Sequence, residues 1–179
     1  DFPDARDLYG RTKALGEVVG PRVVTIRSSI LGRELNTQHG LLEWFFSQRG
    51  GRVKGFRKTI FSGLTTIEMA RVTLRILTEW QNLEGLYHVA SMPITKYELL
   101  CKLRDVFDLQ IEIEAESETA CDRSLDGRKF ASATGYVAPT WEQMLRELRA
   151  DPTPYDEWRK SNDSCRKEST HNGWHRVAR

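Results

Sequence analysis

Apolar and polar positions follow two rhythms along this chain, one of helical spacing and one of alternation, and together they outline its elements. Leu8 to Val19 has helical spacing and is stopped by Gly20-Pro21. Val23 to Arg27 is a short β-branched run that suits a buried strand, and Ser28 to Thr37 follows as loop. Leu41, Leu42, Trp44, Phe45 and Phe46 mark an aromatic-rich helix ended by Gly50-Gly51. Val53 to Phe61 reads as short extended segments around a turn. Thr66 to Trp80 is the clearest helix, with Ile67, Ala70, Leu74 and Leu77 on one face and Thr65 or Thr66 as its cap. Gly85 to Ala90 alternates as a strand and stops before Pro93. Thr95-Lys96-Tyr97-Glu98 is a capping box, opening a helix through Phe107 that turns Leu99, Leu103 and Val106 inward. Ile111 to Ala115 alternates Ile and Glu, a strand with one wet face. Pro139-Thr140-Trp141-Glu142-Gln143 starts a last helix reaching about Arg149. Past Asp151 the chain is polar and broken by Pro152 and Pro154, so 151–179 reads as a weakly ordered tail behind a body spanning 1–150.

One pair in this outline carries chemistry. Tyr9 and Lys13 stand four residues apart within the first helix, hence on one face. A free phenol titrates near ~10, too high for easy proton exchange at neutral pH. A fixed positive charge nearby favours the phenolate, which is what acid–base work at a carbonyl or alcohol needs. Tyr-x-x-x-Lys by itself is equally a half-exposed aromatic beside a solvated lysine, so the neighbouring residues decide.

Asp4-Ala5-Arg6-Asp7-Leu8-Tyr9-Gly10-Arg11-Thr12-Lys13-Ala14-Leu15-Gly16-Glu17 resembles the active-site helix of the extended short-chain dehydrogenase/reductase family. That family comprises nucleotide-sugar epimerases, dehydratases and reductases. Val23 to Gly32 is similar to its following strand and loop. Phe61 to Thr66, Gly85 to Ala90 and Cys121 to Asp126 resemble its sugar-binding half. The resemblance runs over residues 1–158 and points to the dTDP-4-dehydrorhamnose reductase-like branch. It implies an α/β fold: the C-terminal part of an NAD(P)-binding Rossmann-type parallel sheet with a smaller α+β sugar-binding domain. The family's Gly-rich turn, which holds the dinucleotide pyrophosphate at a helix N-terminus, has no counterpart here. Its catalytic Ser or Thr upstream of the Tyr has none either. The expectation is therefore the C-terminal portion of a longer enzyme, inactive when isolated.

What the resemblance implies for individual residues can be set beside plainer roles. Tyr9 would be the general acid–base. Lys13 would steady the phenolate and hydrogen-bond the nicotinamide ribose of NAD or NADP. Arg27, Ser28, Ser29 and Ile30 would pass the nicotinamide, although Ser28 and Ser29 also suit simple turning of the backbone. Arg52, Lys54 and Arg57, with Lys58, lie where relatives grip the nucleotide-sugar diphosphate. Arg suits phosphate through its planar two-pronged fork, but a solvated basic loop has the same composition. Arg123, with Arg128, is a similar candidate near Ser124-Leu125-Asp126. The implied activity is 4-keto-sugar reduction on a nucleotide-activated sugar. An epimerase or dehydratase would use the same pair, and a non-catalytic dinucleotide-binding regulatory subunit is the reading from another class.

Composition narrows the field. Net charge is +2 with both signs mixed along the chain, which gives no nucleic-acid footprint. No apolar run approaches the ~18 residues of a membrane span, and no basic-then-apolar leader opens the chain. Cys101, Cys121 and Cys165 are odd in number and scattered, which argues for a reducing, cytoplasmic setting. Cys165, His171 and His175 could suggest a metal, but Asn172-Gly173 opposes the helix that would align the imidazoles, so no metal is expected. Trp44, Phe45, Phe46, Trp80, Trp141 and His88 read as core. Strands cut from a larger sheet leave an unpaired edge, which invites association, most simply as a homodimer.

Overall fold

The computed structural model describes residues 8–35 and 39–159. Thirteen elements follow one another: α1 (Leu8–Leu15), β1 (Val24–Arg27), β2 (Ile30–Leu31), α2 (Leu41–Ser47), β3 (Arg52–Phe61), β4 (Leu64–Thr65), α3 (Thr66–Thr78), β5 (Gly85–His88), β6 (Ile94–Thr95), α4 (Lys96–Phe107), β7 (Glu112–Asp122), α5 (Arg128–Thr134) and α6 (Trp141–Ala150). A short helical turn at 155–159 closes the described chain. Tyr9 and Lys13 share α1, as the spacing requires, but the helix ends at Leu15 and not at Val19.

The fold is α/β, with three small sheets among the described residues. β1 pairs in parallel with β5, from Val24 opposite Gly85 to Arg27 opposite His88. A parallel pair needs a crossover, and α3 lies within the connection between these strands. β2 pairs with β4. The third sheet has the order β6-β3-β7, with β3 antiparallel to β6 and parallel to β7. The β1–β5 pair and the β6-β3-β7 sheet share no strand.

Further expectations change, beginning with Ser28 to Thr37, which is not all loop because Ile30–Leu31 pairs as β2 with β4. Val53 to Phe61 is not a set of short segments around a turn but part of one ten-residue strand. Its irregularity is a bulge between Phe56 and Lys58 in the ladder with β7. Gly55 permits close layering, since a Cβ there would stand 2.7 Å from the Tyr97 ring and 2.9 Å from Ile113. β7 likewise outruns the expected Ile111 to Ala115, because the long β3 offers pairing partners as far as Asp122. α3 buries a different face from the one its apolar spacing suggests. Glu68 and Val72 are buried, whereas Ala70, Leu74 and Leu77 are exposed, the last two at 60% and 66%. Glu68 can go inside because its carboxylate accepts from the Tyr136 hydroxyl at 2.9 Å and from Arg71 at 3.1 Å.

Caps settle the helix starts. Thr65 caps α3, its hydroxyl accepting from the Glu68 amide. Thr95 with Glu98 and Thr140 with Gln143 form reciprocal capping boxes on α4 and α6. The core between β3, α4 and α6 is built on Phe45, Leu64, Leu99, Leu103, Met144 and Leu145, all fully buried. α1 buries none of its residues.

Candidate functional site

Ends of parallel strands are where open α/β sheets place ligands, and here the C-terminal ends of β1 and β5 carry Arg27 and His88 side by side. The guanidinium of Arg27 makes a two-pronged pair with Glu17, at 2.6 and 2.9 Å, which ties the turn after α1 to the end of β1. The Arg27 hydrogen bond holds the Glu17 carboxyl below its usual range. The His88 Nε2 is buried without a hydrogen-bond partner among the described residues. Burial first, then the charge of Arg27, pushes the imidazole pKa down and favours its neutral form.

Beyond β1 the two serines separate in role. Ser28 donates its hydroxyl to the Val89 carbonyl at 2.8 Å, joining the exits of β1 and β5. Ser29 uses its carbonyl to accept the Leu64 amide at 2.9 Å. Its hydroxyl has no protein partner among the described residues, and Ile30 beside it is exposed. Three further bonds close the loop cluster. Ser91 donates from its amide to Ser62 and from its hydroxyl to the Gly63 carbonyl, and the Leu125 amide donates to the Ser62 hydroxyl at 2.8 Å. Trp141 donates its indole N–H to the Met92 carbonyl, so α6 also holds the exit of β5.

Gly63 is the hinge of this packing. A Cβ there would lie 2.3 Å from the Ser29 carbonyl oxygen and 2.3 Å from the Phe61 ring, which packs on Trp141. Gly63→Ala is expected to cost ~1–3 kcal/mol by overpacking, read as a lowered urea midpoint, and to loosen the 28–30 loop.

The remaining candidates are not all gathered here. Tyr9 and Lys13 sit together on exposed α1, with the ammonium 5.6 Å from the phenol ring centre and Tyr9 73% exposed. Arg123 leaves β7 at this end, its amide donating to the Ile60 carbonyl. Arg52 starts β3, and ten residues at ~3.3 Å each put it about 33 Å from Ser62. It pairs with Glu112 in an open depression of about 720 Å3. Lys54 stands opposite Glu114 on the ladder, and Arg57 lies over the Tyr97 ring at 4.8 Å. The structure therefore does not bring Arg52 and Lys54 together with the 28–30 loop. Arg128 is held by Asp126, whose carboxyl it pulls down to about 2.

Sequence reasoning missed Glu17, Ser62, Gly63 and Ser91. Glu17 and Ser62-Gly63 stood within motifs, but Ser91 lies 28 positions from Gly63 and Leu125 lies 63 from Ser62, partners that no local pattern reveals. Among the described residues no cluster of three or more His, Cys, Asp or Glu could hold a metal. No helix among them is long and apolar enough to cross a membrane. Cys165, His171 and His175 lie outside the described residues.

The carboxylates of Glu17, Glu98 and Asp126 all keep their charge to lower pH in the folded chain. Between the ordinary value near 4.5 and the lowered one, the unfolded chain binds more protons, so stability must fall as pH falls. His88, neutral in the fold, acts in the same direction below its ordinary 6.5. Thermal midpoints are expected to hold near neutrality and to decline progressively from about pH 6.5 to pH 2, as measured by circular dichroism.

The chain has an α/β fold built on parallel strand pairs, with Tyr9 and Lys13 on the helix that precedes them, and it shares that fold with Rossmann-type reductases of known structure. Solved structures specify the likeness. A hypothetical dTDP-4-dehydrorhamnose reductase from Sulfolobus tokodaii matches at 26% identity and a TM-score of 0.63, over 79% of this chain and 54% of its own. The dTDP-4-dehydrorhamnose reductase of Bacillus anthracis, solved with NADP, matches at 15% and 0.62, over 80% and 52%. The Bordetella bronchiseptica enzyme WbmG, solved with NAD and UDP, matches at 17% and 0.60, over 84% and 49%. The chain spans about half the length of these structures. No protein-family model matches it, and neither does any curated protein sequence.

Proposed function

We propose that this chain supplies the acid–base pair and the sugar-binding part of an NAD(P)-dependent enzyme that reduces a 4-keto group on a nucleotide-activated sugar. The observation that carries this reading is the Tyr9–Lys13 pair, exposed on one helix of a fold shared with dTDP-4-dehydrorhamnose reductases. Tyr9 would give its phenolic proton to the sugar carbonyl oxygen as that oxygen gains negative charge. Lys13 would stabilise the resulting phenolate and hydrogen-bond the ribose next to the reacting ring. Ser29, whose hydroxyl has no protein partner among the described residues, would face the cofactor or the sugar, and Arg123 would meet the diphosphate.

The residues present suit the nicotinamide end of a dinucleotide. An α1 that buries none of its residues leaves both polar groups accessible, whereas no glycine-rich cradle for the pyrophosphate occurs in the sequence. When bound, NAD(P)H would supply the hydride. The uncovered apolar side chains Leu8, Leu15 and Val19 support packing of α1 against another element or another copy.

The test is an assay of an enzyme extending over the full length of these relatives, with a dTDP-4-keto-6-deoxy sugar and NADH or NADPH. Oxidation of the nucleotide with formation of the 4-hydroxy sugar is the expected result. Interconversion of UDP-sugar epimers without net oxidation would replace the reductase by the epimerase reading. Binding of dinucleotide without any turnover would favour a regulatory subunit.

A further inference from the structure

The segment after α6 does something its polar composition does not announce. Glu43, on α2, is buried to 5% exposure, yet one of its oxygens accepts three hydrogen bonds. Arg33 Nε donates to Oε1 at 2.6 Å, the Glu34 amide at 3.2 Å, and Arg159 Nη2 at close range. Arg159 also donates from Nε to the Glu34 carbonyl at 2.7 Å. The backbone of Glu34 is thus gripped at its N–H by Glu43 and at its C=O by Arg159, 125 positions later in the chain.

Arg33 is fixed as firmly. Its guanidinium lies 5.2 Å from the ring centres of both Phe46 and Tyr155 and reaches Asp156 at 2.9 Å. The 151–155 turn that presents Tyr155 is itself knotted by Asp151, which accepts from Thr153 and from the Tyr155 hydroxyl. A carboxylate this deep is tolerable only with such partners, and the partners are immobilised in return.

We propose that residues 151–159 brace the loop running from Ser28 through Leu35, and that Glu43, Arg33 and Arg159 are its positioning residues. The brace seizes the loop at Arg33 and Glu34, directly after Ser29, Ile30 and Leu31. Its functional meaning rests on the reading above, in which Ser29 faces the cofactor or the sugar. A loop released from the brace would populate the binding-competent position only part of the time, and apparent affinity falls by that fraction.

Arg159→Ala tests this, because it removes both long-range hydrogen bonds while Arg33 and the Glu34 amide still partner the Glu43 carboxylate. In the 179-residue chain, amide exchange across 28–35 is expected to accelerate about tenfold or more, while α4 and the β3–β7 ladder keep their protection. In the full-length enzyme the dissociation constants for NADH and NADPH should rise about tenfold with kcat little changed. Arg159→Lys keeps the charge but loses the fork and should fall between the two. Arg146→Ala, which breaks an exposed pair on α6, should alter neither. Glu43→Gln is the companion variant, and should it fail to fold, Arg159→Ala still decides. Unchanged exchange at 28–35 in Arg159→Ala would overturn the brace. Faster exchange with unaltered nucleotide affinity would uphold the brace and remove this loop from the binding site, so the functional reading would fall instead.

Discussion

Replacing Tyr9 by Phe in the full-length enzyme is expected to lower turnover about 10²–10⁴-fold, the usual share of a positioned general acid. The substitution keeps the ring and removes only the transferable proton. At about 1.36 kcal/mol per tenfold, the loss is roughly 3–5 kcal/mol of transition-state stabilisation. KM for the sugar should change little, since the phenol's contribution is made chiefly when charge develops on the carbonyl oxygen. Because Tyr9 is exposed and α1 buries none of its residues, the variant should fold as well as the parent. Steady-state rates with saturating NADPH give the answer. A Phe variant that keeps nearly full turnover would remove Tyr9 from the chemistry.

The largest effect on stability is expected from Phe130→Ala, at about 3–5 kcal/mol, as for other buried aromatic truncations. Phe130 is 1% exposed and is the buried residue of α5. Its ring meets Trp80 at 5.4 Å, Tyr87 at 5.9 Å and Tyr136 at 5.6 Å, each edge-on, the arrangement aromatic pairs prefer. The cluster joins β5, the end of α3 and the loop after α5, so a hole there releases several elements at once. Tyr136 would lose the packing that aims its hydroxyl at Glu68, and a poorly paired buried carboxylate adds to the cost. Urea unfolding should show a lower midpoint. A shift corresponding to less than about 1 kcal/mol would mean that the cluster collapses around the vacancy.

What could be read from the sequence was what local spacing controls. Tyr9 and Lys13 fall on one helix because four residues make about one turn, whatever surrounds them. The capping box at Thr95 and Glu98 was legible for the same reason: both partners lie within one turn. Val23 to Arg27 and Gly85 to Ala90 were legible as strands from their β-branched and alternating runs, but that they pair with each other was not. Long-range partners were out of reach. β3 is one long strand because β7 offers it a ladder from Glu112 to Asp122, and nothing in Val53 to Phe61 alone reports that partner. The buried face of α3 was misjudged because a carboxylate ordinarily faces water. Glu68 is the exception, and the donor that admits it, Tyr136, is 68 residues away. α5, at seven residues, is too short to show a period. At the site, the roles of Ser28 and Ser29 divide only when Val89 is seen to accept one hydroxyl and not the other. The basic residues of β3 were assigned to phosphate by the resemblance, and the contacts of Arg52 with Glu112 and of Arg57 with Tyr97 became visible only in the folded ladder.

On the proposed function, this chain carries the sugar-binding part and the acid–base pair of such an enzyme but not the cradle for a dinucleotide's phosphates. Calorimetric titration of the 179-residue chain with NADH and with NADPH tests it most directly. The expected result is no micromolar binding of either nucleotide, with affinity appearing only when a glycine-rich half is joined to the chain. Micromolar binding of NADH or NADPH by this chain alone would overturn the proposal and place the cofactor site within these 179 residues.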